Sequence, residues 1–476
     1  MKRIRTDAWV IILVFAGSRI IYQLSGLDFQ YDALYKYWQY LDVDTLQHNL
    51  LRGVWYNHAQ PPLFNLFLGA VLKLAGGAAP AVLALFFKLV TLAIGFLVYL
   101  ILRRLVKHPR LPLVLALFYL LSPASMVFEN ELFYTTFISL LLMISTYMLL
   151  SLGENPGWKR AAGFFLPLVL ICLTRSMYHL AWIFLVALMV LFFYRRRRGL
   201  HKLAVTGAVA FLMVGGWYVK NYFMFGEFST SSWIGMNLAR NVFHDAVVTD
   251  SSKIESIEPF SPITVYRPFI TGRYERQFAG KNDADLLSPL KNDSLRNLSH
   301  ISYLEVSALY LAACKEHAKA QPLGYAKNVV QSSIIFFAPA TRYPVIEAQA
   351  AKIRYYDLLY SFNLSHFAKG KTARRIALTV SALPKFLLYC LVFFAIGKAM
   401  YKKQRPELVN RFLVAVILYV FLLSSLLEHY ENMRFRFEIE PLFLLLLGQA
   451  WDGFLAARRA RKEEKAKPEA IPAGLG

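Results

Sequence analysis

Charged residues are scarce in this 476-residue chain, at 17%, and there are three cysteines, Cys172, Cys314 and Cys390. A soluble enzyme of this length needs a much larger share of polar surface, so the low charge excludes an ordinary soluble fold. No two cysteines form a Cys-x-x-Cys pair, which argues against a disulfide framework or a zinc site.

Acidic residues are also few, 30 against 53 lysines and arginines, which leaves a net charge of +23. The basic residues do not form a face interleaved with aromatics, as nucleic-acid binding requires. They cluster at the ends of apolar runs, where cations orient membrane helices and meet anionic headgroups. Nucleic acid is therefore excluded as a partner, and the lipid bilayer is indicated.

Long apolar runs are what the chain has in abundance, with 57% hydrophobic residues. A membrane-spanning helix needs about 20 mostly apolar residues. The predicted fold class is an all-α polytopic membrane protein with about ten transmembrane helices and both ends in the cytoplasm. The predicted spans are 8–24, 81–102, 111–127, 132–152, 161–176, 177–194, 203–220, 377–397, 412–427 and 437–456.

The basic clusters fix the predicted topology. If the clusters at 2–5, 103–110, 159–160, 195–202, 398–411 and 458–467 are all cytoplasmic, the apolar stretches 61–75 and 329–340 are not simple crossings. We predict that both are re-entrant or surface helices on the outer side. The basic start MKRIR precedes an apolar run without a cleavage site, which predicts an uncleaved first span.

Four regions follow from this topology. Residues 1–220 form an N-terminal transmembrane module that contains a first outer loop, 25–80, and residues 221–374 form a long outer-side loop region. Residues 375–457 are the C-terminal transmembrane helices, and 458–476 are a basic cytoplasmic tail. Helix-period apolar residues predict a helix near 301–319 within the long outer region.

Charge at membrane depth is costly, so each charged residue near the predicted outer ends of the spans needs a partner or a function. The first outer loop carries Asp28, Asp32, Asp42 and Asp44 beside the aromatic stretch YDALYKYWQYLD. One interpretation is an interfacial helix with solvated carboxylates, and the other is a catalytic base at the membrane surface. The DxD spacing at 42–44 is weak evidence without a Rossmann-like pattern around it.

The segment between the last two predicted spans breaks the positive-inside pattern. It carries Arg434 and Arg436, which suit bidentate contact with a phosphate if an extended turn aims both the same way. The alternative is pairing with Glu431, Glu438 or Glu440.

Two further groups lie at predicted outer ends of spans. Glu129 and Glu131 form a tight turn that could bind a cation or simply be solvated. Lys88 and Arg175 could reach lipid headgroups or complete an anionic site.

At these residues the chain resembles the membrane glycosyltransferases of the GT-C fold, in particular the protein O-mannosyltransferase, aminoarabinose-transferase and Rgt-type group. Tyr31-Asp32 resembles the family's acidic position in the first outer loop. NHAQPPL at 57–63 is similar to its HPPL element, which begins a juxtamembrane helix. WYVKNY at 217–222 with FGEF at 225–228, and ENMRFRF at 431–437 before Glu440-Pro441, resemble two further motifs.

The chain departs from the family at two of these motifs. Ala33 stands where the family often has a second carboxylate, and His58 is separated from Pro-Pro by Ala59 and Gln60. The matches are islands between about residues 8 and 456, in the family's order and on one predicted side of the membrane.

The resemblance implies an inverting glycosyltransferase that transfers a hexosyl or pentosyl group from a polyprenyl-phosphate sugar to an acceptor hydroxyl at the outer face. The acceptor is a cell-envelope glycan, a lipid or a protein, and the predicted location is a bacterial inner membrane with a periplasmic site. Asp32 is the implied general base, because the acceptor proton must leave. The departing phosphate gains charge, which suits Arg434 first, then Arg436, Lys88 and Arg175. Glu129, Glu131 and His58 are candidates for the acceptor or a metal; no cofactor is required, and a divalent cation is the one candidate.

Three other functions remain open. A transporter or flippase of lipid-linked sugars predicts mid-span charges and repeat symmetry, which the sequence does not clearly show. An envelope glycan ligase predicts a histidine or arginine in the large outer loop, where His244, His300 and His317 occur. A non-catalytic scaffold is the third, because of Ala33.

Overall fold

The computed structural model describes residues 2–196, 198–243, 288, 290, 291, 295, 297–402 and 407–465. Within these residues the chain is helical, and extended backbone pairs only as isolated bridges, such as the one between Gln30 and Glu131. The structure therefore confirms the predicted all-α polytopic class. His244 lies outside the described residues.

The N-terminal half alternates long helices with the short helices of the first outer loop. The helices are α1 (Lys2–Leu24), α2 (Ala33–Lys36), α3 (Val43–His48), α4 (Leu50–Tyr56), α5 (Leu63–Ala75), α6 (Ala79–Leu105), α7 (Leu111–Leu120), α8 (Pro123–Phe128), α9 (Thr135–Glu154), α10 (Trp158–Cys172), α11 (Leu180–Tyr194) and α12 (Leu200–Phe225).

The C-terminal half contains a group of shorter helices followed by three long ones. The shorter helices are α13 (Ile234–Val242), α14 (Tyr303–Ala320), α15 (Pro322–Phe337), α16 (Glu347–Lys352) and α17 (Arg354–Ser361). The long helices are α18 (Lys371–Tyr401), α19 (Glu407–Leu427) and α20 (Asn432–Lys465). The helix predicted near 301–319 is confirmed by α14.

Six segments of the described chain are long and apolar enough to cross a membrane. They are Leu63–Leu105, Thr135–Glu154, Leu200–Phe225, Lys371–Tyr401, Glu407–Leu427 and Asn432–Glu463. The other four predicted spans also fall on helices, but 111–127 is divided between α7 and α8 at Ser122-Pro123. Helix α11 has 15 residues, about 22 Å at 1.5 Å per residue, which is shorter than a hydrocarbon core of about 30 Å.

The first outer loop is folded against the bundle. The stretch at 31–42 was expected to form one interfacial helix, but it forms a single turn, α2, and Tyr37 after it is extended. The hydroxyl of Tyr37 donates to Glu131, and that of Tyr40 donates to the carbonyl of Leu132. These two bonds fix the chain in a shape that a continuous helix does not allow.

Helix α5 is separate from α6, as the sequence predicts for 61–75. A short 3-10 turn at Gly76–Ala78 joins the two helices, and Gly76 has a φ of +51°. A glycine is needed there because residues with a Cβ rarely adopt positive φ.

The described part of 221–374 is mostly helical. Helix α13 packs closely on α14: a Cβ on Gly235 would lie 1.8 Å from the carbonyl oxygen of Ser307. Gly235 also donates its N–H to the Ser307 hydroxyl, at 3.1 Å. The close approach buries the apolar faces of both helices around Trp233, Met236 and Tyr310.

Helix α20 is central to the bundle and positions the candidate site. It packs against α6, α7, α9, α15, α18 and α19. Its residues from Asn432 to Ile439 are all buried, including Arg434, Arg436 and Glu438. The charged residues of the ENMRFRF motif therefore lie inside the protein and not in a solvated loop.

Candidate functional site

Two buried arginines lie together at the predicted outer end of the bundle. Arg434 is in the first turns of α20, and Arg175 follows α10. Each is 4% exposed. Both guanidinium groups lie over the ring of Phe435, with centroid distances of 4.8 Å for Arg434 and 4.0 Å for Arg175. Both also lie within 6 Å of the ring of Tyr134, at 5.9 and 5.7 Å.

Two carboxylates balance this pair of charges. Glu438, one turn further along α20, forms an ion pair with Arg175. Glu431 accepts a hydrogen bond from Nη2 of Arg434. Burial by itself raises the pKa of Glu431, but Arg434 and Arg240 outweigh it and hold the pKa at about 2. Glu431 is therefore ionised at neutral pH and holds one edge of the Arg434 guanidinium.

Two other nitrogen atoms of that guanidinium are without a partner in the part of the chain that the structure describes. Nε and Nη1 of Arg434 are buried and make no hydrogen bond with any residue that the structure describes. A buried charged donor without a partner is costly, and each of these two N–H-bearing atoms can donate to an oxygen of an anion such as a phosphate or carboxylate. The arrangement is suited to an anionic ligand at this position.

Aromatic and acidic side chains form the wall next to the arginines. Phe133 and Tyr343 also lie against the Arg434 guanidinium, at 4.6 and 5.4 Å. Tyr37, from the first outer loop, stacks edge-on to Phe133 and donates its hydroxyl to Glu131 at 2.5 Å. Burial raises the pKa of Glu131 to about 7, although the hydrogen bond from Tyr37 and the nearby Lys36 oppose the rise. Glu131 is therefore a carboxyl group that exchanges its proton near neutral pH.

Asp32 lies at the same end of the molecule but outside this cluster. Its side chain is 75% exposed and pairs with Lys36 at 3.3 Å. Gln30 and Tyr37, on either side of it in the chain, are bonded to Asn130 and Glu131. Since Lys36 also influences Glu131, a single lysine lies close to both carboxyl groups. The structure brings the first-loop acid towards the arginines' end of the bundle and leaves it open to solvent.

Arg436 is directed elsewhere. The expected extended turn is wrong, because residues from Asn432 onwards are helical. Positions two apart on a helix face different sides. Arg436 donates Nε to the carbonyl of Phe336 at 2.8 Å and Nη2 to that of Ala338 at 3.2 Å, and it pairs with Glu440. Its hydrogen bonds join α20 to the end of α15.

Glu129 and His58, both sequence candidates, have their polar atoms engaged. Glu129 is fully buried and forms a bidentate pair with Arg19 at 2.7 and 2.9 Å, and it accepts a bond from Tyr22. His58 contacts the Ser232 hydroxyl through Nδ1 at 2.9 Å and the Ser299 carbonyl through Nε2 at 3.0 Å. Burial lowers the pKa of His58 to about 3, so the imidazole is neutral. Its two hydrogen bonds link the first outer loop to the region 221–374.

Lys88 lies on α6 at the surface of the helix bundle. It is half-buried between the exposed side chains of Leu85 and Leu89. This position suits a lysine that reaches towards a headgroup. Among the residues described, no group of three His, Cys, Asp or Glu side chains converges on a point where a metal could bind.

An open cavity of about 260 Å³ lies beside the first outer loop. Lys291 closes one side of it, and its Nζ donates to the backbone carbonyls of Tyr40 at 2.6 Å and Tyr37 at 3.3 Å. Asp42 and Asp44 line the other side. Residues of the first outer loop and Lys291 of the 221–374 region therefore line one cavity, close to Tyr37 and Tyr40.

Sequence reasoning singled out Arg434 and Arg175 but missed the residues that make them a site. Tyr37, Phe133, Tyr134 and Tyr343 have no motif that distinguishes them from other aromatics in a membrane protein. Arg240 lies far away in the sequence, and its pairing with Glu431 at 3.2 Å is visible only in the folded chain.

Comparisons with known proteins show a likeness to a solved structure. No family model matches the chain, and no curated protein matches it. Among solved structures, the chain is similar to the archaeal oligosaccharyltransferase AglB from Archaeoglobus fulgidus, in complex with an inhibitory peptide and a dolichol-phosphate. The identity is 11% and the TM-score is 0.42, over 98% of this chain and 53% of that one. The chain thus spans about half the length of that protein.

Proposed function

We propose that this membrane protein is a glycosyltransferase that takes its sugar from a polyprenyl-phosphate lipid and transfers it to an acceptor hydroxyl at the outer face. The observation that carries the proposal is the Arg434–Arg175 pair, in which two N–H-bearing atoms of Arg434 are buried and unpartnered among the described residues. A polyprenyl phosphate has the matching parts: an anion for the guanidinium groups and a tail for the apolar bundle. The GT-C motifs at 31–32, 57–63, 217–228 and 431–441 support the same function.

The arginines stabilise the leaving group in this mechanism. Transfer passes through an oxocarbenium-like state as the bond between the anomeric carbon and the phosphate oxygen breaks. The departing phosphate gains negative charge, and guanidinium groups fixed beforehand at that position stabilise it without reorganising. Arg434 makes the direct contact, Arg175 adds positive charge behind it, and Lys88 meets the lipid headgroup at the membrane surface.

A carboxylate removes the acceptor proton on the opposite side of the sugar, which gives inversion. Asp32 is the proposed base, because it is exposed to the side from which a polar acceptor arrives. Glu131 is the alternative base, because it is buried beside Tyr37 and burial raises its pKa to about 7. The cavity lined by Asp42 and Asp44 is the proposed entry for the acceptor.

Lipid mass spectrometry on a strain lacking the gene tests the proposal. Loss of a transferase should cause a sugar-phosphate polyprenol to accumulate, and one envelope glycan, lipid or protein should lose a hexosyl or pentosyl group. Purified protein should then release polyprenyl phosphate in step with sugar transfer. A flippase instead moves the intact lipid-linked sugar without cleaving it, and that result would overturn the proposal.

A further inference from the structure

A row of alternating acidic and basic side chains connects α13, within the region 221–374, to Arg434. Nη1 and Nη2 of Arg240, on α13, both lie 3.2 Å from Oε1 of Glu431, and Nη1 lies 3.0 Å from Glu428. Glu431 binds Arg434 through its other oxygen, Oε2. The order is Glu428, Arg240, Glu431 and Arg434, and all four side chains are less than 20% exposed.

The helix that carries Arg240 is held on several sides. Next to Arg240, Asn241 donates Nδ2 to the carbonyls of Ser425 and Leu426, at 2.9 and 2.8 Å, where α19 ends. Its side-chain oxygen accepts from Ser332 of α15 at 3.1 Å. The opposite end of α13 is fixed on α14 through Gly235. These contacts hold the Arg240 guanidinium in a fixed place.

Glu431 is presented by a backbone that is also held firmly. Tyr430, just before it, has a φ of +76°, which is uncommon for a residue with a side chain. Asn432 donates Nδ2 to the carbonyls of Ser424, at 2.7 Å, and Glu428, at 3.2 Å. Strained backbone of this kind persists where surrounding contacts determine it.

We propose that Arg240 is a positioning residue for the donor phosphate site, acting through Glu431; this rests on the proposed function. With Arg240 on Oε1, Glu431 holds Arg434 by Oε2 alone, and Nε and Nη1 of Arg434 stay available to the phosphate. Without Arg240, both oxygens of Glu431 face Arg434. A bidentate pair between them uses Nη2 together with either Nε or Nη1, and so takes one of the two N–H-bearing atoms that would otherwise bind the donor phosphate.

The test compares donor and acceptor kinetics in Arg240 variants of the full-length protein in nanodiscs, with a synthetic polyprenyl-phosphate sugar. Arg240→Gln should raise the donor KM by roughly tenfold, with a smaller change in kcat and no change in the acceptor KM. Arg240→Lys keeps the charge and should fold. Its donor KM should lie between those of wild type and Arg240→Gln. Lys315→Gln, an exposed cation on α14, is the matched control and should behave as wild type.

A second mutation separates positioning from a structural role. In a Glu431→Gln background the carboxylate that pairs with Arg434 is gone, so adding Arg240→Gln should leave the donor KM unchanged. If Arg240→Gln raises the donor KM equally in both backgrounds, or if neither Arg240 variant changes it, the inference is wrong. If wild type transfers no sugar and Arg434→Lys changes nothing, the proposed function itself has failed.

Discussion

The sharpest prediction concerns two arginines two residues apart on one helix. Within the described residues, two N–H-bearing atoms of Arg434 have no partner, whereas Nε, Nη1 and Nη2 of Arg436 donate to Phe336, Glu440 and Ala338. The same conservative change, arginine to lysine, should therefore affect catalysis at one position and stability at the other.

The size of the effect at Arg434 follows from its free donors. A hydrogen bond to a charged group contributes about 1.5–3 kcal/mol. Lysine keeps the charge and can replace one of the two phosphate contacts, so Arg434→Lys loses about one such bond. At about 1.4 kcal/mol per factor of ten, kcat/KM for the donor should fall roughly 10- to 150-fold. The melting temperature should change little, because a lysine can still pair with Glu431.

Arg436→Lys should show the opposite pattern. The ammonium cannot satisfy both the Phe336 and Ala338 carbonyls and Glu440, so the melting temperature in detergent should fall. The folded fraction should retain donor kcat/KM within about twofold, since Arg436 is directed away from the site. Transfer from a radiolabelled polyprenyl-phosphate sugar and a thermal shift assay measure the two effects. Donor use that is equally insensitive to both changes would refute the phosphate contact.

The remaining predictions concern the carboxylates and the outer regions. Asp32→Asn should abolish sugar transfer but leave membrane insertion normal, while Glu131→Gln should leave measurable transfer. If transfer survives Asp32→Asn and is lost with Glu131→Gln, then Glu131 and not Asp32 is the base. Because burial raises the pKa of Glu131 to about 7 from 4.5, the folded state keeps a proton that the unfolded chain has lost. Stability should thus fall between about pH 4.5 and 7 and level off above, by at most about 3 kcal/mol, and Glu131→Gln should flatten this slope in pH-dependent melting curves. His58→Phe should lower stability by about 1–3 kcal/mol through two lost hydrogen bonds, with no new pH dependence between pH 5 and 8, because His58 is already neutral there.

Apolar length predicted the all-α polytopic class, because it reports directly on the cost of placing charge in a bilayer. The basic clusters predicted a helix at 61–75 that is separate from the next span, since one more crossing would have placed a basic cluster on the wrong side. The fine structure of the first outer loop did not follow. The amphipathic pattern at 31–42 favours a helix, but the bonds of Tyr37 and Tyr40 to a distant turn interrupt it.

The candidate site was predictable only in part. Arg434 and Arg175 were visible as cations at the predicted outer ends of spans. The difference between Arg434 and Arg436 was not, because it depends on whether the ENMRFRF motif is extended or helical. The partners of Glu129 are also unreadable from the sequence: Arg19 is 110 residues away. Pairings over such distances are set by packing, which leaves no local signal.

The central claim is that the Arg434–Arg175 pair binds the phosphate of a polyprenyl lipid. Native mass spectrometry of the protein in nanodiscs with added polyprenyl phosphate tests it most directly, with the unphosphorylated polyprenol for comparison. Wild type and Arg436→Lys should retain polyprenyl phosphate and release the alcohol, and Arg434→Lys should retain much less of the phosphate. Equal retention of phosphate and alcohol by wild type, or equal retention of the phosphate by all three proteins, would contradict the claim.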